Sequence, residues 1–340
     1  MLAAALIGET IINGVDRPIW QSYPNLLTVI NRPVALSCSS SGTCLEVTTT
    51  ARGAYTTDGG YRWREVVIPF FGTATSVSCP TTARCVVGGD LGLYATAAGF
   101  HQDPNSQWFT SPASVAPGAA SRITAVACAR NGTCLALGDP HARSQVALSS
   151  QDFGQHWRGA GALPARLTQV ACVIGACVAS DGHQLYRRPQ TGGFAPSSVQ
   201  PGVTATAELL GLSCTGGSFC LVALRPHKGA PVVALTSGDG GVTWQRGGQL
   251  EGPQSMPTAF SCTGPARCVA AVPGTEVVTD YRVGAGWMLA SRDAGKSWQV
   301  ESQPWGLTPF DVACTAQHGC WALATQTIVD NRYPVLLHRR

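Results

Sequence analysis

The residues of this chain best suited to chemistry are its 14 cysteines, since a thiolate can ligate a metal, act as a nucleophile or close a disulfide. They fall into seven close pairs: Cys38 with Cys44, Cys79 with Cys85, Cys128 with Cys134, Cys172 with Cys177, Cys214 with Cys220, Cys262 with Cys268 and Cys314 with Cys320. Five residues separate the partners in six pairs, and four separate Cys172 from Cys177. Thiolate zinc sites gather ligands in fours from short knuckles, and seven separate pairs supply no fours. A pair repeated seven times, each between similar apolar runs, argues instead that every pair closes on itself. Val77-Ser78-Cys79, then Pro80 to Arg84, then Cys85-Val86-Val87 reads as strand, tight turn, strand. The two cysteines would face each other across the hairpin, where Cβ separation suits a disulfide. Each bridge would contribute about 2 kcal/mol by the chain-entropy argument. An oxidising compartment outside the cytoplasm is implied, with intracellular proteins of hyperthermophiles as the exception.

Other reactive groups are sparser. His141 and His227 lie seven residues after the second cysteine of their pairs, and His183 six after its own. Neutral imidazoles could ligate zinc or copper.

The elements that position these groups repeat. The first cysteines recur at intervals of 41 to 52 residues, a period that suits a four-stranded propeller blade. A second motif runs in phase in four units: Thr56-Thr57-Asp58-Gly59-Gly60-Tyr61-Arg62-Trp63, Ser150-Gln151-Asp152-Phe153-Gly154-Gln155-His156-Trp157, Ser237-Gly238-Asp239-Gly240-Gly241-Val242-Thr243-Trp244 and Ser291-Arg292-Asp293-Ala294-Gly295-Lys296-Ser297-Trp298. Asp58, Asp152, Asp239 and Asp293 would accept hydrogen bonds from N–H groups two or three positions on. Gly would supply the left-handed turn, and Trp63, Trp157, Trp244 and Trp298 an apolar cover. The second and fourth units keep only remnants, Trp108 and Thr191-Gly192-Gly193-Phe194.

A blade then has an innermost strand ending at the first Cys, a second from the second Cys, a third (Gly92 to Thr96, Gln145 to Ser149, Val232 to Thr236, Gly286 to Ala290) and an outer one from Trp. The seventh unit stops after its third strand. Trp20-Gln21-Ser22-Tyr23-Pro24 resembles the missing outer strand and would close the ring. The expected architecture is all-β: one seven-bladed propeller over 1–340, with 1–19 as an extension, 20–24 as the closing strand and the blades across 25–340. With 12% charged residues, 39 Gly and 22 Pro, helical bundles and coiled coils are excluded. The +4 charge is scattered, with no basic block longer than Arg339-Arg340, which argues against nucleic acid as partner. No apolar run reaches 18 residues, so no membrane span is expected. Met1-Leu2-Ala3-Ala4-Ala5-Leu6-Ile7 does not read as an ordinary secretory leader.

The combination of S/A-C-x5-C-x-A/V with T/S-x-D-x-G-x-x-W resembles the exported bacterial propellers of the BNR/Asp-box, sialidase-like superfamily. Within it, the repeat organisation is most similar to the photosystem II stability/assembly factor type, over residues 20 to 338. The resemblance implies functions from glycosidase to receptor and assembly factor, so chemistry must be argued from a site. Sialidases carry an Arg-Ile-Pro motif and six blades; Arg17-Pro18-Ile19 and Asn31-Arg32-Pro33 do not match it, and seven units are present here.

In such a ring the disulfide turns and Asp-box turns share one face, and the remaining loops share the other. Recognition is expected on that second face, from Arg143, His183, Arg225, His227, Asp280, Tyr281, Arg282, Arg332, Tyr333 and Trp305. The connection Pro273 to Ala285 is the longest of its kind, and long loops on rigid scaffolds tend to carry recognition. The histidine loops begin one strand from the axis and diverge, which favours solvated histidines over a metal site. No metal or cofactor is expected. The leading expectation is a monomeric, non-catalytic propeller of the cell exterior or envelope that binds a protein segment or a glycan. The alternatives are an exo-acting glycoside hydrolase, which needs two carboxylates flanking the scissile bond, and a structural surface module.

Overall fold

The computed structural model describes residues 20–23, 32–50, 52–68, 72–90, 92–96, 108–111, 122–139, 145–199, 206–215, 217–250, 256–278, 281–284, 286–302, 306–328 and 331–339. Seven four-stranded antiparallel sheets stand around a central axis as propeller blades. Blade 1 comprises Pro33–Cys38, Cys44–Thr48, Arg52–Thr56 and Arg64–Val67. The other innermost strands are Ala74–Thr81, Arg122–Cys128, Gln169–Val173, Glu208–Cys214, Ala259–Gly264 and Leu307–Cys314. In three blades the third strand runs one residue later than its sequence pattern suggested (Val146–Ser150, Val233–Ser237, Trp287–Ser291). The Ser that opens the turn still pairs in the ladder there, as Ser150 does with Cys134.

The second strand of each blade is covered by a neighbour on both faces. Cys44–Thr48 and Ala176–Ser180 are buried throughout, and such strands therefore read as unbroken apolar runs rather than alternations. Alternate residues serve opposite interfaces: Val222 and Leu224 pack toward blade 4, while Leu221 and Ala223 pack toward blade 6.

All seven cysteine pairs are disulfide-bonded within their own hairpins, with Cα separations of 4.0 to 4.1 Å. Only directly opposed residues of an antiparallel ladder come this near, the closer class of such pairs lying about 4.5 Å apart without a bridge. Cys38 and Cys44 are register partners of this kind, as are Cys172 and Cys177, Cys214 and Cys220, and Cys262 and Cys268. The second cysteine of every pair is buried: Cys44, Cys85, Cys134, Cys177, Cys220, Cys268 and Cys320 all lie beneath neighbouring blades. Their sulfurs are therefore out of reach of a ligand or a metal ion. The part these residues play is structural, and the thiolate chemistry open to them on paper is closed by pairing and burial.

The four Asp-containing turns share one hydrogen-bond pattern. In blade 1 the Thr56 hydroxyl donates to Asp58 Oδ1 at 2.7 Å and accepts from Gly60 N–H, while Arg62 N–H donates to the carboxylate. Ser150/Asp152, Ser237/Asp239 and Ser291/Asp293 repeat it. The carboxylate's recurring backbone donor lies four residues on, rather than the two or three expected from the sequence, because two successive residues with positive φ curl the turn tightly. The second of these is always Gly, and space also demands it: a Cβ on Gly60 would lie 2.0 Å from the Trp321 ring, and one on Gly241 2.4 Å from Val178. Each turn thus nests on the preceding blade.

The ring closes between termini. Gln21–Tyr23 pairs antiparallel with Asn331–Arg339, through Gln21↔His338 and Tyr23↔Leu336, as the fourth strand of blade 7. Trp20 is buried among Val269, Met288 and Leu337, on the flank of blade 6. A buried Arg339–Glu301 ion pair at 2.5 Å links the same two blades. Burial pushes the Glu301 carboxyl up and the Arg339 guanidinium down, each opposed by the partner's charge. On the other flank, Trp321 donates to Gly59 O at 3.1 Å, stacks on His338 and meets Trp63 edge-on.

Removing Trp20 side-chain packing by Trp20→Ala should cost about 3 kcal/mol, and deleting residues 1–23 should lower the melting temperature further. An unchanged melting temperature on truncation would refute this closure. Burial raises the Asp239 carboxyl, but donors from Thr243, Ser237 and Val242 outweigh it and hold the group at about 2. Its stabilising contribution is therefore present above pH 4 and lost as pH falls toward 2. The gap in melting temperature between the wild type and Asp239→Asn should narrow across that interval.

Candidate functional site

Charge pairs organise the loop face opposite the disulfides, two of them joining successive blades and one closing within blade 5. Arg122 at the entry of blade 3 lies 3.3 Å from Asp90 at the exit of the second strand of blade 2. Arg166, entering blade 4, lies 2.6 Å from Asp139 of blade 3. In blade 5 the same two positions carry exchanged charges, and Arg225 Nε donates to Glu208 at 3.0 Å. Each pair involves a residue six before a first Cys and one five after a second Cys. The offset is the same in all three pairs, whereas Arg225 was expected from the sequence to meet a ligand.

The other expected site residues fare differently. His183 Nδ1 donates to the Ala207 carbonyl at 2.7 Å, bridging blades 4 and 5. The Asp181 carboxylate accepts from His183 N–H, Gln184 N–H and the Tyr186 hydroxyl. His227 is exposed, with Nδ1 3.2 Å from Lys228 O. Among the described residues no group of three or more His, Cys, Asp or Glu is placed to hold a metal ion. Arg143, Asp280, Trp305 and His141 lie outside the described residues.

Two of the expected clusters do converge. The long connection of blade 6 is an additional hairpin, Thr275–Val278 paired with Tyr281–Gly284. In blade 7 the second and third strands extend to Cys320–Ile328 and Asn331–Arg339, nine residues each. Tyr281–Gly284 lies against Cys320–Ile328, so the backbones of Tyr281, Arg282, Arg332 and Tyr333 share one sector of the loop face. Tyr333 is 46% exposed. The base of the blade 6 hairpin is clamped to the innermost strand of blade 7, through Gly286 N–H to Leu307 O at 2.9 Å and the Thr308 hydroxyl to Gly274 O at 3.3 Å. A Cβ on Gly286 would lie 2.0 Å from Pro309 Cδ.

No family model and no curated protein sequence matches the chain. Its fold is shared with solved propellers. A structure of YCF48 bound to D1 peptide superposes with a TM-score of 0.66 at 16% identity, covering 97% of this chain and 100% of that one. YCF48 from Cyanidioschyzon merolae gives 0.62 at 14% identity, covering 94% and 98%. The Cps50 (Swd1) propeller of Myceliophteria thermophila gives 0.61 at 8%, covering 93% and 99%. The chain is thus a complete propeller ring of the shape seen in YCF48, a photosystem II assembly factor, and in other propellers.

Gly286→Ala should force apart the hairpin base and the strand of blade 7, at about 1 to 3 kcal/mol. Hydrogen exchange should rise selectively across 275–284. Protection equal to wild type there would show that the clamp does not position the hairpin.

Proposed function

We propose that this protein is a non-catalytic propeller that binds a segment of another protein at the two-hairpin sector of blades 6 and 7. The observation that carries the reading is this clamped pair of hairpins, on a face where Asp90, Asp139 and Glu208 are already paired with arginines. It puts Tyr and Arg, residue types favoured at binding hot spots, on a scaffold that loses little entropy when a ligand docks. The peptide held by a YCF48 propeller of the same shape supports a protein segment as ligand. Asp90, Asp139 and Glu208 face arginines and Asp181 serves its own turn, which does not favour a pair of carboxylates free for glycoside hydrolysis. Seven disulfides support residence in an oxidising compartment. The proposal takes 25–340 as one domain closed by 20–24.

The test is panning of a displayed peptide library on the immobilised protein, with a glycan array and an aryl glycoside panel in parallel. Peptides enriched on wild type should bind at least tenfold more weakly to Tyr333→Ala with Arg282→Ala, and to a chain whose residues 276–283 are replaced by Asn-Gly. Melting temperatures of these variants should stay close to wild type. Enrichment on glycans alone, hydrolysis of a glycoside, or peptide binding indifferent to these changes would overturn the proposal.

A further inference from the structure

The seven innermost strands enclose a central channel of about 420 Å³, within the range of small-ligand pockets. Its wall consists largely of Ala, Ser and Thr, and its only charged residues among those described are Asp311 and Arg130. Arg130 is exposed in a disulfide-closed turn at one mouth. Asp311 stands three residues before Cys314, and so roughly 10 Å along the strand from that end.

The Asp311 carboxylate accepts Leu36 N–H of blade 1 on Oδ2 at 2.7 Å and its neighbour's Val312 N–H on Oδ1 at 2.9 Å. The bond to the next blade does not require a charge. Gln169, at the same position of blade 4, accepts Leu212 N–H at 2.9 Å, and Ser76 in blade 2 accepts Val126 N–H at 3.0 Å. A carboxylate where an amide or hydroxyl suffices brings a desolvation cost that the seam does not repay. It leaves acceptor capacity toward the channel. At the same level the four remaining blades present Ala35, Ala125, Gly211 and Ala259 beside Ser76 and Gln169, which keeps the lumen open.

We propose that the channel is a subsite for one organic cation, an ammonium or guanidinium, seated against the Asp311 carboxylate. A divalent metal is poorly served, because no His and no second acid lines the described wall. The adjoining innermost strands, Pro33–Cys38 and Ala259–Gly264, carry no titratable side chain beyond bridged cysteines, and neither does Cys320–Ile328. Arg267, on the second strand of blade 6, couples to Glu301 and Arg339. Tyr281 and Arg282 belong to the hairpin strand that touches the innermost strand of blade 7. With no cation compensating it among the described residues, burial pushes the Asp311 carboxyl up to about 7, so a bound cation and a proton compete for it. Affinity should therefore rise with pH through neutrality. The site is separate from the two-hairpin sector, and either can fail alone.

Calorimetric titration with N-acetyl-arginine amide, its neutral isostere N-acetyl-citrulline amide, agmatine and a pentapeptide with central Arg tests this. Wild type should bind the arginine amide at least tenfold more tightly than the citrulline amide at pH 8, and more weakly at pH 5.5. Asp311→Asn, which keeps an acceptor for Leu36 N–H, should lose that preference and its pH dependence. Agmatine and the amide binding alike would identify a free amine; a pentapeptide binding tenfold more tightly than either would identify a side chain of a protein segment. Both outcomes support the subsite. No preference for the charged amide in wild type, or the same preference in Asp311→Asn, would overturn it. If that variant does not fold, the carboxyl carbon of Asp311 in wild type decides by NMR: the amide must lower its titration midpoint, and an unmoved midpoint refutes the site.

Discussion

A ring of sheets has an edge problem at its centre. The innermost strand of every blade pairs on one side only, and its other edge, with unpaired N–H groups, faces a narrow channel. Here the preceding blade supplies acceptors. Ser37 takes Cys79 N–H, Ser78 takes Cys128 N–H and Ser261 takes Cys314 N–H, all at 2.8 to 3.0 Å. Gln169, Ser76 and Asp311 do the same two residues earlier. At these five junctions the bonds fix the rotation of one blade on the last, and with it the alignment of the apolar faces between them. They also make the wall of the channel polar and small, which is why it stays open.

The disulfides act on a different link of the chain of causes. Each closes a loop too short to hold distant parts together, so it limits the unfolded hairpin rather than the ring. The ring itself is held by packing between neighbours, such as Leu221 and Ala223 of blade 5 against Phe260, Ala270 and Leu289 of blade 6. Where the chain ends meet, packing alone is supplemented. The seam between blades 7 and 1 carries Trp321 against Gly60 and Trp63 and the Asp311 bond, and the N-terminal strand completes blade 7 beside Trp20.

The same economy governs the loop face. Among its described residues, charge pairs join successive blades, Asp90 to Arg122 and Asp139 to Arg166, and His183 is held by the next blade's Ala207 carbonyl. Beyond these ties stand the hairpins of blades 6 and 7, the sector we propose for recognition. The channel beneath offers a second, smaller and independently addressed environment, in which one carboxylate has no countercharge among the described residues.

Local pattern was enough to establish the blade. Cysteines spaced for opposed positions in a hairpin, a Ser/Thr-x-Asp-x-Gly turn and apolar second strands are short-range features, and each hairpin is satisfied within some 50 residues of chain. Trp20-Gln21-Ser22-Tyr23 was readable as an outer strand for the same reason. Many side-chain partners were not readable, because they lie on neighbouring blades or at the opposite terminus. Arg122 is an open basic residue on paper and the partner of Asp90 of the preceding blade in the ring. Asp311 is one polar residue among many in sequence and becomes a carboxylate in a channel only when seven strands are brought around it. Sequence alone determined the repeating unit, since backbone pairing and turn geometry are local. Tertiary structure decided which charges are neutralised and which are not, since that depends on distances between residues the chain keeps far apart.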